Sequence, residues 1–198
     1  MFFFRPGSCF WPCSRLPPPC RNPFAHAETV IIIQPFGDFT PGKAELIYRQ
    51  IRRLDPNTVL RTSLPLPVTA YYSTRDRYRA DSLIRYLGRS AAGDTIVIGL
   101  TNRDISTTKG NIQDWGIMGL GDNPGRAAVV STFRLSASDR DGQLYKVAVH
   151  ELGHTMGLQH CKDTTCFMRD AEGANHLDEE KDFCTDCKRH LRDKGWKL

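Results

Sequence analysis

From residue 29 onward, apolar positions follow two alternating rhythms. Unbroken apolar runs, which suit strands buried on both faces, occupy residues 29–35 and 95–100, and another covers 127–135. Between them, apolar residues recur every three or four positions, the spacing of one helix face. Such segments cover 41–54, opened by Pro41, and 79–90. Residues 59–66 read as a strand weakened by Pro65, which lacks a backbone donor. Glycine-rich turns then lead through Trp115 to Leu120. The longest helical pattern spans 142–159, with Leu144, Val147, Ala148, Leu152, Met156 and Leu158 as its apolar positions. An acidic, helix-like stretch at 177–182 precedes a charged terminal helix. Strands alternating with helices predict an α+β or mixed α/β fold, one twisted mixed sheet with helices packed on it.

The first 28 residues break this rhythm. Prolines at 6, 12, 17, 18, 19 and 23 deny the backbone donors and dihedrals that a helix or central strand needs. A disordered or poorly structured Pro/Cys-rich extension, or a misassigned start, is therefore expected over 1–28, and one domain over 29–198. Arg5, Pro6 and Gly7 cut the apolar start too short for a secretory signal, and no later run approaches the roughly 20 apolar residues of a membrane span. At 198 residues and 40% apolar content, the chain can bury the core of one domain. The net charge of +5 is modest; residues 43–89 carry ten Lys or Arg against four Asp or Glu. These cations are scattered among apolar helix positions without a recognition motif, so they read as a solvated face and nucleic acid is not an expected partner. A monomer is expected.

The segment His150-Glu151-Leu152-Gly153-His154-Thr155-Met156-Gly157-Leu158-Gln159-His160 turns the reading from fold to chemistry. Positions four apart share a helix face, so His150 and His154 can offer ring nitrogens to one metal ion. Glu151 lies beside them without being in line with both, which suits a general base acting on a water rather than a ligand. Gly157 can take the left-handed conformation that ends a helix, letting the chain turn back and deliver His160 as a third ligand. Three protein ligands leave one position open, the mark of a catalytic zinc rather than a structural one. A bare HExxH match arises by chance on amphipathic helices. The added glycine and third histidine at fixed offsets make the pattern specific.

Cys161, Cys166, Cys184 and Cys187 follow with C-x4-C-x17-C-x2-C spacing. Two close pairs separated by a loop suit four thiolates around a structural zinc. Two disulfides, or a redox-active Cys184-Thr185-Asp186-Cys187, are the alternatives. In thioredoxin-like proteins that motif opens a helix after a strand, whereas here it follows the acidic helix-like stretch. Cys9, Cys13 and Cys20 lack tight pairing and have only His26 nearby.

Together, HELGHTMGLQHC, Cys166 and Met168 resemble the archaemetzincins, zinc metallopeptidases that combine an HExxHxxGxxH motif with a four-cysteine second site. The close resemblance covers roughly residues 150–187, and a looser one reaches back to about Thr29. It implies a single metzincin-like metalloprotease domain with a zinc-stapled C-terminal segment and two zinc ions per chain. In that pattern His150, His154 and His160 bind the catalytic zinc, and Cys161, Cys166, Cys184 and Cys187 bind the structural one. Glu151 is the general base and acid, and Met168 forms the methionine turn beneath the zinc. The implied partner is a peptide or protein substrate, with activity on short peptides or free N-termini included. In metzincin-like folds the strand before the active-site helix forms the upper rim of the cleft, so 127–133 is the expected edge for pairing with extended substrate.

Two rival functions stand beside this one. The first is a zinc hydrolase acting on a non-peptide amide; the second is a catalytically silent zinc-binding interaction module, against which the intact Glu151 argues. No second acid stands out, since His176, between the cysteine pairs, and His190, in the terminal helix, are expected at the surface. Asp104, between two strands, is expected to serve a turn or cap. Reduced thiols and the poor signal sequence point to the cytoplasm.

Overall fold

Why the main sheet is a central layer is visible in its apolar runs. The computed structural model describes residues 29–37 and 39–198, so the expectations for 1–28, including Cys9, Cys13, Cys20 and His26, lie outside the described residues. In chain order the elements are β1 (Val30–Pro35), α1 (Pro41–Leu54), β2 (Val59–Leu60), β3 (Tyr71–Tyr72), β4 (Arg77–Arg79) and α2 (Ala80–Gly88). They continue with β5 (Thr95–Thr101), β6 (Ile105–Lys109), β7 (Ile112–Ile117), β8 (Gly119–Gly121), β9 (Ala127–Ser131), α3 (Arg140–Thr155) and α4 (Thr185–Asp193). The larger sheet runs β2-β1-β5-β9-β8, parallel except for β8. Successive strand side chains point to opposite faces. Ile31, Ile33, Ile96, Ile98, Ala128 and Val130 therefore share a core with α1, α3 and the C-terminal segment. Ile32, Val97, Ala127 and Val129 share a second core with α2. Each fully buried aliphatic side chain stabilises this layering by roughly 1.5–3 kcal/mol.

Several expectations change in the folded chain. Pairing over 59–66 shrinks to Val59–Leu60 and a single bridge between Leu64 and Phe36, as the proline-flanked remainder cannot sustain a ladder. Arg79 belongs to β4 rather than to the following helix. The run 127–135 ends as a strand at Ser131, and 127–133 is not an edge: β9 lies between β5 and β8, with all five residues buried. An unbroken Ala-Ala-Val-Val run suits such a central position, and β8 takes the edge instead.

A smaller sheet, β3-β4-β6-β7, sits beside the first. Asp104 joins the two regions and is neither a turn nor a cap residue. Its buried carboxylate accepts two hydrogen bonds from Arg134, both at 2.9 Å, and lies 3.1 Å from Arg77. Arg77 also faces Asp114 at 3.3 Å. Removing one partner of a buried ion pair leaves the others charged and uncompensated. Asp104→Ala is accordingly expected to destabilise the fold by roughly 3 kcal/mol, read as a lowered midpoint in urea unfolding.

Candidate active site

Helix α3 begins at a cap that its apolar pattern does not reveal. The Asp139 side chain accepts the Gly142 backbone N–H at 3.2 Å, satisfying one of the free donors of the first turn. The helix stops at Thr155, four residues before the expected end. Gly157 takes φ +95°, its N–H donates to the His154 carbonyl at 2.8 Å, and Leu158 N–H donates to the Gly153 carbonyl at 3.0 Å. This left-handed cap reverses the chain and carries His160 back toward the helix.

The three imidazoles meet through one nitrogen each. Nε2 of His154 lies 3.0 Å from Nε2 of His150 and 3.2 Å from Nε2 of His160. The opposite nitrogens are held by acceptors. His150 Nδ1–H donates to the Phe167 carbonyl at 2.6 Å, His154 Nδ1–H to the Leu158 carbonyl at 2.8 Å, and His160 Nδ1 faces Asp170 at 3.3 Å. A carbonyl can only accept, so the proton sits on Nδ1 and Nε2 keeps its lone pair. Burial, followed by the neighbouring His154, lowers His150 to about 3, so it is uncharged at neutral pH. Three lone pairs converging without a proton between them repel one another unless a cation sits among them. Their spacing also suits zinc, since tetrahedral nitrogen ligands ~2.0–2.1 Å from the ion stand roughly 3.3 Å apart. Asn123 reinforces this arrangement, donating to the same Leu158 carbonyl at 2.7 Å.

Glu151 is buried next to this cluster, against the edge strand β8. A methyl group at Gly119 would sit 2.5 Å from its Oε1, and one at Gly121 would sit 2.6 Å from its backbone oxygen. Only glycine permits this approach. Burial raises the Glu151 carboxyl to about 8, while a hydrogen bond from the Gly121 backbone acts the other way. The three histidines, Glu151 and the Gly119–Gly121 edge all border one cavity of about 650 Å³.

The thiols form a second cluster. Cys161 and Cys184 Sγ are 3.7 Å apart, Cys166 and Cys187 Sγ 3.8 Å, and all four lie within 4.8 Å of one another. A disulfide requires ~2.05 Å, so all four are free thiols. Sulfur ligands ~2.3 Å from a tetrahedral zinc stand roughly 3.8 Å apart, which matches. Residues 177–182 form no helix: 177–179 are a turn and Asp182 bridges to Cys166, while Cys184 is the N-cap residue of α4. The Cys184–Cys187 motif thus does open a helix. Convergence with Cys161 and Cys166, not its place in the chain, sets it apart from a redox pair.

Met168 joins the two clusters. Fully buried, its sulfur fills the space beside Gly153 of α3, and its carbonyl accepts the Cys161 N–H at 2.7 Å. His176 is elsewhere, paired with Glu179 at 3.1 Å. His190 is half-buried rather than at the surface, its Nε2–H donating to the Met156 carbonyl at 2.9 Å. Asp170, Asn123 and the Phe167 carbonyl had no signal in the sequence, because nothing in their spacing relates them to the histidines. Gly119 and Gly121 had one: glycines two apart fall on one strand face.

Comparisons with known proteins point the same way. A Halobacterium salinarum archaemetzincin is 31% identical over 171 residues, covering 79% of this chain and 96% of the relative. The crystal structure of archaemetzincin from Archaeoglobus fulgidus, complexed with malonate, superimposes with a TM-score of 0.71 at 25% identity, covering 82% of this chain and 99% of that one. For archaemetzincin from Methanopyrus kandleri the TM-score is 0.70 at 25% identity, with 86% and 98% covered. The family model of peptidase family M54 matches residues 36–193, a span that takes in every element from α1 to α4, the active-site helix and both clusters among them. On that match the chain belongs to peptidase family M54 and is a zinc metallopeptidase.

Proposed function

We propose that His150, His154 and His160 hold the catalytic zinc, that Glu151 is the general base and acid, and that Cys161, Cys166, Cys184 and Cys187 hold a second, structural zinc. The observation carrying this reading is the convergence of three lone-pair nitrogens beside a buried carboxylate on one cavity wall. A zinc ion held there supplies a Lewis acid and lowers the pKa of water toward ~7. Glu151 takes a proton from the attacking water and returns it to the leaving amine. Its place beside the histidines on the same cavity wall suits it to both halves of that exchange. Edge strand β8 offers unpaired backbone groups along the cavity, and an extended peptide adds to it as a further strand.

The substrate is a peptide or protein, with short peptides and free N-termini included. A peptide-library digest alongside zinc quantification tests the whole reading: two equivalents of zinc together with cleavage are expected. Cleavage of a non-peptide amide with peptides left intact would move the assignment to an amide hydrolase. One equivalent without cleavage would leave a binding module. Free and acetylated N-termini on the same peptide separate aminopeptidase from endopeptidase action. Four free thiols also suit a reducing compartment, and we place the enzyme in the cytoplasm.

The glycine edge provides a sharper check. Gly119→Ala forces a methyl group against Glu151 Oε1, displacing the carboxylate by about an ångström. Turnover is expected to fall about a hundredfold. Zinc content, measured by mass spectrometry, should stay at the wild-type value, because no ligand or ligand partner is touched.

A further inference from the structure

One side chain on the cavity wall is out of keeping with its surroundings. Glu180 lies in the turn-rich segment between the cysteine pairs, is 5% exposed, and lines the cavity that holds the histidines and Glu151. Among the described residues its carboxylate forms no ion pair, and Oε2 is buried without a hydrogen-bond partner. Its backbone, by contrast, is firmly held. Lys146 Nζ donates to the Leu177 carbonyl at 2.6 Å and to the Glu180 carbonyl at 2.8 Å, so two of this ammonium's three protons go to carbonyls.

The cations that share the wall are engaged as well. Arg134 is bidentate with Asp104, Arg169 meets Glu179 at 2.6 Å, and Lys109 lies over the Trp115 ring. Burying a carboxylate without a partner is unfavourable, and an apolar residue would close the wall better if packing were its only task. Burial pushes the Glu180 carboxyl up to about 7; Lys146, Arg169 and His176 act the other way, and Glu179 adds to the rise. A cation delivered into the cavity would relieve this. The same wall carries Val147 and Leu177, both buried, which suit the alkyl stem of a long side chain.

We propose that Glu180 ends a substrate subsite for a cationic side chain, so that the enzyme favours peptides with lysine or arginine at one position near the scissile bond. The apolar wall takes the stem, and the carboxylate takes the ammonium or guanidinium. This rests on the peptidase reading above.

The test uses peptide pairs that differ only in lysine against norleucine, moved through each position around the cleaved bond. At one position the zinc-loaded wild type is expected to show kcat/KM about tenfold or more higher for lysine, and Glu180→Gln to bring that ratio close to one. A wild-type ratio near one at every position overturns the proposal. So does an equal loss on both peptides in Glu180→Gln, which would make Glu180 a support of the fold alone. Calorimetric binding of the same pairs to zinc-loaded Glu151→Gln protein reads the subsite without turnover. If neither peptide is cleaved, the peptidase reading fails, and the binding ratio still decides the subsite: tighter lysine binding that is lost on adding Glu180→Gln supports it, and equal binding overturns it.

Discussion

Glu151→Gln is expected to lower peptide turnover by roughly three orders of magnitude while keeping both zinc ions and the fold. Glutamine has nearly the same shape, and its side-chain carbonyl can still accept from the Gly121 backbone, so the packing against β8 survives. What disappears is the proton acceptor. Undiminished turnover in a zinc-replete Glu151→Gln protein would remove the mechanism. The variant has a second signature in the metal-free protein, after chelation. Burial raises Glu151 to about 8 from its ordinary 4.5, so its contribution to stability is complete below about pH 4.5 and is lost as pH rises through 8. Relative to the glutamine variant, the metal-free wild type should therefore lose thermal stability across that window. Parallel melting curves across pH measure the difference, and curves that track each other would mean that Glu151 is not held in the enclosed site described.

Cys166→Ser is expected to lose the second zinc and, with it, much of the catalytic activity. Structural zinc sites contribute on the order of 10 kcal/mol of binding free energy coupled to folding, and Cys166 sits at the centre of the site proposed for the second ion. Its sulfur accepts the backbone N–H groups of Met168 at 3.4 Å and Cys184 at 3.3 Å. The next residue supplies the carbonyl that orients His150, so loosening the cluster frees the first histidine as well. Without metal, burial pushes the Cys166 thiol up to about 11. Zinc must then displace its proton, and affinity for the second ion should weaken as pH falls. Zinc counted by mass spectrometry and proteolysis of the segment after His160 measure both effects. Retention of two ions with a protected tail would show that Cys166 is not a ligand.

Both clusters were legible in the sequence, the histidines through local geometry and the cysteines through two close pairs at metal-site spacing. A four-residue spacing puts His150 and His154 on one helix face, and a left-handed glycine at 157 brings His160 back; both are properties of a few neighbouring residues. The strand cores were equally legible, since Val30–Pro35 and Thr95–Thr101 are apolar on both faces and need a layer on each side. Residues 59–66 and 177–182 show where local patterns fail. Proline ended the first pairing, and the second, acidic and helix-like, was drawn into turns by the thiol cluster and the Lys146 contacts to its carbonyls.

Partnerships between distant residues were decided only by the folded chain. The sequence alone determined which side chains can bind metal and which segments must be buried, because both follow from residue type and short-range periodicity. It did not determine that β8 rather than β9 is the edge, that Asp104 would be enclosed by Arg77 and Arg134, or that Asp170 and the Phe167 carbonyl would set the histidine tautomers. Each of these depends on packing between elements tens of residues apart along the chain or on a turn without spacing rules, and packing selects partners by shape and burial, which no local pattern encodes.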